Sequence, residues 1–128
     1  MFLLVLTGLT LATAPALPAP ESWRTCLDNF DVTSQQDQCL KKKLEQGNSL
    51  VAAFMKEISA KDKAVGRAER NAQGLWMKYR DAQCYAEGVQ FEGGSLQLIT
   101  SRACLVKLTL QRAQELKDMA KALNSPTK

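Results

Sequence analysis

Four cysteines, Cys26, Cys39, Cys84 and Cys104, are the residues of this chain best suited to covalent chemistry. None sits in a C-x-x-C pair, so zinc binding and thioredoxin-like exchange have weak support. The 128 residues include no histidine. That removes Ser–His–Asp and Cys–His catalysis, His-ligated zinc and the usual neutral-pH general base. Glu87 and Glu92 lie near a glycine-rich stretch from Gly88 to Ser95, but nothing marks them as an acid–base pair and no nucleophile accompanies them. The expectation is a non-enzyme with no cofactor and no metal. Lys41, Lys42 and Lys43 form a basic cluster, for which a solvated helical turn is the plainer account. The net charge of +4 is a mild excess, and a nucleic-acid binder usually carries a denser basic stripe. No nucleic-acid partner is expected.

The chain's first residues set the compartment in which those cysteines would work. Met1 to Pro20 carry no charged side chain, and the run from Phe2 to Ala14 is mostly apolar. It is shorter than the roughly 20 apolar residues a transmembrane helix needs. Ala14-Pro15-Ala16 supplies an A-x-A-like cleavage site. Residues 1–16 therefore read as a secretory signal peptide, although no Lys or Arg precedes the apolar run. A buried N-terminal helix is the competing account, and the prolines at 15, 18 and 20 oppose it.

An even cysteine count in a small exported chain reads as two disulfides. Three pairings are open. Cys26–Cys39 with Cys84–Cys104 is favoured because each closes a short loop. Such a loop stabilises the fold by about 3 kcal/mol in the chain-entropy picture.

The elements that must hold these residues read as helices. Thr33 and Ser34, followed by Gln36 and Asp37, suggest a helix N-cap with capping-box partners. Leu40, Leu44, Val51, Phe54, Met55 and Ile58 then recur at helical spacing, with a gap around Gly47. A break is expected at Ser59–Asp62. A second period runs through Val65, Ala68, Ala72, Leu75, Trp76 and Tyr79, with Gly66 and Gly74 placed for a close helix approach. Gly88 to Ser95 is a glycine-rich loop. A third period runs through Leu98, Cys104, Leu105, Leu108, Arg112, Leu116, Met119 and Leu123. The expected fold is all-α: a small antiparallel bundle of about three main helices over residues 17–123, with a frayed tail at 124–128.

If Cys84 and Cys104 bridge antiparallel helices, residue numbers at one level sum to about 188. Trp76 then lies at the level of Arg112, and Tyr79 at that of Thr109. Gln73 lies at Glu115, and Ala72 at Leu116. This register predicts Trp76 stacked on the Arg112 guanidinium, a buried Tyr79 ring with its hydroxyl on Thr109, and Ala72 making room for Leu116.

The block Ala72-Gln73-Gly74-Leu75-Trp76-Met77-Lys78-Tyr79-Arg80-Asp81-Ala82-Gln83-Cys84 resembles the AQ-x-x-W-x-x-YRDAxC signature of the LprI-like lysozyme-inhibitor family. The likeness continues through Gly93-Gly94-Ser95, Cys104 and the Leu108-Thr109-x-x-Arg112-Ala113-x-Glu115-Leu116 block. Cys26 and Cys39 also fit the family's N-terminal cysteines. Gly74 stands where the family often has Arg.

The resemblance implies a helical protein, periplasmic or secreted, whose partner is lysozyme or another envelope protein. Inhibition would mean occupying a glycan cleft that works with paired carboxylates. Gly93, Gly94 and Ser95 are the best contact candidates, because glycines allow close backbone approach and Ser95 offers a donor. The plainer account makes them a turn with Ser95 as a helix cap. Arg80 could meet a carboxylate or an anionic glycan. The structural account is favoured: Arg80 pairs with an acid on another helix, and Asp81 anchors the 88–95 loop. A local Arg80–Asp81 pair is not expected, since adjacent helical residues do not face each other. Trp76 is read as core. Animal lysozymes are typically basic, so a net-positive inhibitor loses long-range steering unless a local acidic patch supplies it. The rival reading is a non-inhibitory envelope module binding an anionic glycan or lipid surface through Lys41–Lys43.

Overall fold

Asp62 ends one long helix and starts the next. Its extended backbone breaks the run, and its carboxylate accepts hydrogen bonds from the Ala64 and Val65 amides at 2.9 and 3.0 Å. Two donors otherwise orphaned at a helix start are satisfied by one side chain. The computed structural model in which this is seen describes residues 16–124. The expected leader, apart from Ala16, and residues 125–128 lie outside the described residues.

Every regular element among the described residues is helical. A 3-10 turn (Pro20–Trp23) leads into α1 (Arg24–Asp28), followed by α2 (Thr33–Lys61), α3 (Lys63–Val89) and α4 (Ser95–Ala122). The three long helices match the expected count, and α1 is an addition to it. The start of α2 differs from expectation. Thr33 is already helical, and the cap position falls to Val32, which offers no side-chain oxygen. The Gln36 side chain instead donates to the Phe30 carbonyl at 2.7 Å, tying the α1–α2 turn to the helix.

Two apolar clusters run along the bundle. Leu40 packs with Cys26, Ile99, Ala103, Val106 and Leu110 at one end. Val51 and Ile58 pack with Ala113, Leu116 and Ala120 at the other. The pairings make α2 and α4 parallel, with α3 running back between them in sequence. Leu40, Ile58, Leu110 and Leu116 are fully enclosed, and each such side chain stabilises the fold by about 1.5–3 kcal/mol.

The α4 stripe is wider than the sequence period suggested. Leu98 and Met119 are partly exposed, while Ile99, Val106, Leu110 and Ala113 are buried. The reason is geometric: α4 packs against both other long helices, so no single narrow face describes it. The gap around Gly47 is where α4 comes close, since a Cβ there would meet Thr109 Cγ2 at 3.0 Å. Gly66 permits the tight α2–α3 approach against Ser59. Gly74 has open space around it and serves no such approach.

Candidate functional site

The α3–α4 seam is polar. Arg112 of α4 pairs with Glu69 of α3 at 2.8 Å, and its Nε donates to Gln73 Oε1 at 2.8 Å. A weaker contact reaches Glu115 at 3.4 Å. Arg80 donates from Nη1 to the buried Thr109 hydroxyl at 3.2 Å and lies over the Trp76 ring, 5.4 Å from its centroid. The same guanidinium pairs with Asp81 at 2.8 Å.

The seam differs from the sequence expectation at several residues. The Trp76 ring contact is with Arg80, while Arg112 turns to Glu69, Gln73 and Glu115. Trp76 is half-buried. Tyr79 is 58% exposed, so Arg80 takes its place on Thr109. Ala72 is exposed and does not shelter Leu116. Arg80 and Asp81 do form a local pair, because the long arginine side chain reaches its neighbour in a way that shorter adjacent residues cannot. Asp81 is thereby engaged away from the α3–α4 loop, which is shorter than expected: Gly88 and Val89 still belong to α3 and Ser95 to α4, leaving residues 90–94.

One cause explains most of these shifts. Each residue turns a helix by about 100°, so Gln73, Trp76, Arg80 and Glu87 lie within roughly 80° of Cys84. Leu75 and Tyr79 lie about 140–180° away. The Cys84–Cys104 bond, with Cα atoms 5.4 Å apart, sets the rotation of α3 as well as its level. The apolar residues Ala68, Ala72, Leu75 and Tyr79 consequently face outward.

The second feature is the α3–α4 tip. Gly93 has φ +86°, a left-handed conformation that disfavours any side chain. Its amide donates to the Gln97 side chain at 3.2 Å. Gly94 is the cap position and Ser95 the first helical residue, without a side-chain cap bond, so Ser95 is not the expected cap. Gly93, Gly94 and Ser95 are exposed, beside Phe91 and Leu96 at 37% and 52% exposure. Glu92 is the sole charged side chain from 88 to 98. Next to the tip lies an apolar cleft of about 160 Å³ lined by Trp23, Leu27, Leu96, Ile99 and Ala103. Glu87 and Lys107, 4.0 Å apart, flank it.

The third feature centres on Asp37, which receives Arg102 at 3.0 Å and Lys41 at 3.1 Å. Burial pushes its pKa up, but the hydrogen bonds and charges of Lys41 and Arg102 outweigh this and hold it below the ordinary carboxylate value. Sequence reasoning treated Asp37 as a capping partner and missed Arg102 and Glu69. The i,i+4 spacing of Asp37 and Lys41, and of Glu69 and Gln73, was the available signal.

Among the described residues, no group of His, Cys, Asp and Glu could hold a metal ion, and no helix is long and apolar enough to cross a membrane. A family model described as "Lysozyme inhibitor LprI" matches residues 26–116. The chain belongs to the LprI lysozyme-inhibitor family. It is also 30% identical to an uncharacterized protein of Rhizobium meliloti (strain 1021), covering 89% of this chain and 91% of the relative. No solved structure matches. The LprI match takes in both disulfides, the Arg80 and Arg112 networks and the tip. In this LprI member the Trp76, Tyr79-Arg80-Asp81 and Cys84 block thus divides between a seam that holds helices together and a tyrosine that faces out.

Proposed function

We propose that this protein is an exported, non-enzymatic LprI-family member that binds lysozyme through the α3–α4 tip. Membership over residues 26–116 carries the reading. The tip geometry supports it: a turn fixed by Gly93 presents Phe91, Ser95 and Leu96 beside a cleft sized for an apolar side chain. Glu92 gives this end a local negative charge on a net-positive chain, which suits a basic partner. Arg80 acts structurally, since its side chain is 11% exposed and fully engaged.

Export is supported by two disulfides among the described residues, a feature of oxidising compartments. Residues 1–16 are assigned to a removed leader, 17–123 to one helical domain and 124–128 to a tail. Leu17 packs against both core clusters, so cleavage after Ala16 would leave it in place.

The test is lysis of peptidoglycan by several lysozyme types with stoichiometric mature protein. The expected result is a lowered lytic rate, weakened by Phe91→Ala, Leu96→Ala or Glu92→Lys and by added salt. An unchanged rate across all lysozymes overturns the reading.

A further inference from the structure

A groove of about 440 Å³ runs along the first turns of α2. Its volume lies within the ordinary range for ligand pockets. Gln35, Gln38, Cys39, Lys42 and Lys43 line it from α2, and Phe30 closes one end from the α1–α2 turn. The spacing of the α2 residues places them on one helix face. The groove is braced: Cys39 is bonded to Cys26, and the Phe30 carbonyl is held by Gln36. Lys41 is drawn off to Asp37, but Lys42 and Lys43 make no ion pair among the described residues, and no carboxylate lines the groove.

We propose that this groove binds a carboxylate-bearing glycan. The groove draws on residues that the lysozyme reading does not use, so neither depends on the other. Two unpaired ammonium groups supply the charge complement for a carboxylate. Two carboxamides supply donors and acceptors in a pair, which matches sugar hydroxyl and N-acyl groups. The partly exposed Phe30 ring offers a flat apolar face to the C–H face of a pyranose. A shallow concave site of this kind fits a chain of sugar rings better than a flat anionic membrane. An acidic peptide would use the lysines but leave the aromatic wall idle.

The experiment follows amide chemical shifts of the isotopically labelled mature protein during titration. The probe is a tetrasaccharide of alternating N-acetylglucosamine and N-acetylmuramic acid. Chitotetraose is the neutral twin; hexaglutamate and phosphatidylglycerol vesicles represent the other anions. The tetrasaccharide should shift Phe30, Gln35, Gln38 and Lys42–Lys43 signals, with chitotetraose at least tenfold weaker. Lys42→Gln with Lys43→Gln should weaken binding tenfold or more, and Phe30→Ala several-fold, while Lys56→Gln further along α2 changes nothing. Absence of these shifts, equal binding of chitotetraose, or equal or tighter binding of hexaglutamate or vesicles overturns the proposal.

Discussion

Glu69 of α3 and Arg112 of α4 meet at 2.8 Å with side chains only 16% and 11% exposed. The pair takes up the guanidinium that the sequence register sets against Trp76. Glu69→Gln should destabilise the protein by about 1.5–3 kcal/mol, the usual worth of a hydrogen bond to a charged group. Glu115→Gln removes a 64%-exposed partner of the same arginine and should cost no more than about 1 kcal/mol. Urea midpoints of the two variants check the difference.

The Asp37 network should leave a mark on the acid limb of stability. Its folded pKa is below the 3.8 of the free side chain. The stabilisation is therefore fully present above the unfolded value and is lost as pH falls through the folded one. Urea midpoints measured from about pH 2 to 6 should fall more steeply at the acid end in the native chain than in Asp37→Asn. Parallel curves would show that the carboxylate does not titrate with folding.

Two glycines should respond oppositely to alanine. At Gly66 a new Cβ would stand 2.5 Å from Ser59 Oγ and 2.7 Å from its Cα, so Gly66→Ala should destabilise by about 1–3 kcal/mol. At Gly74 nothing lies within 4 Å, so Gly74→Ala should stabilise by about 0.5–1 kcal/mol through helix propensity. Thermal melts of the two single variants give the signs directly.

Replacing Cys84 and Cys104 together by alanine should lower stability by about 3 kcal/mol. The same change should free α3 to rotate, bringing Leu75 and Tyr79 toward α4. Quenching of Tyr79 exposure to small-molecule probes in the double variant, against the native chain, would register that rotation.

The helices and the two bridges are legible in the sequence, because period and cysteine spacing are local signals; the break expected over Ser59–Asp62 narrows to Asp62 alone, since Ser59 to Lys61 stay helical. The level of α3 against α4 was also accessible from the second bridge. Its rotation does not follow from apolar periodicity, although the spacing of Tyr79 and Leu75 from Cys84 opposes their burial. Periodicity alone turns apolar residues inward, whereas Arg80 and Arg112 find their partners on that face. The groove beside Phe30 stayed hidden because it joins a turn to a helix face across the Cys26–Cys39 bridge, a relationship that no single periodic window contains.

Both bridges lie at the same pole of the molecule, with Cys39 near the start of α2, Cys84 near the end of α3 and Cys104 near the start of α4. The opposite pole, around Asp62, Leu116 and Ala120, is closed by noncovalent contacts: the second cluster and the Lys61 ammonium on the Ala120 carbonyl at 2.8 Å. Thermal opening should thus begin there and spread like a zip toward the cross-linked pole. Amides near residue 62 would exchange with solvent first, while the α3–α4 tip and the lysine-lined groove keep their shape in a half-melted molecule.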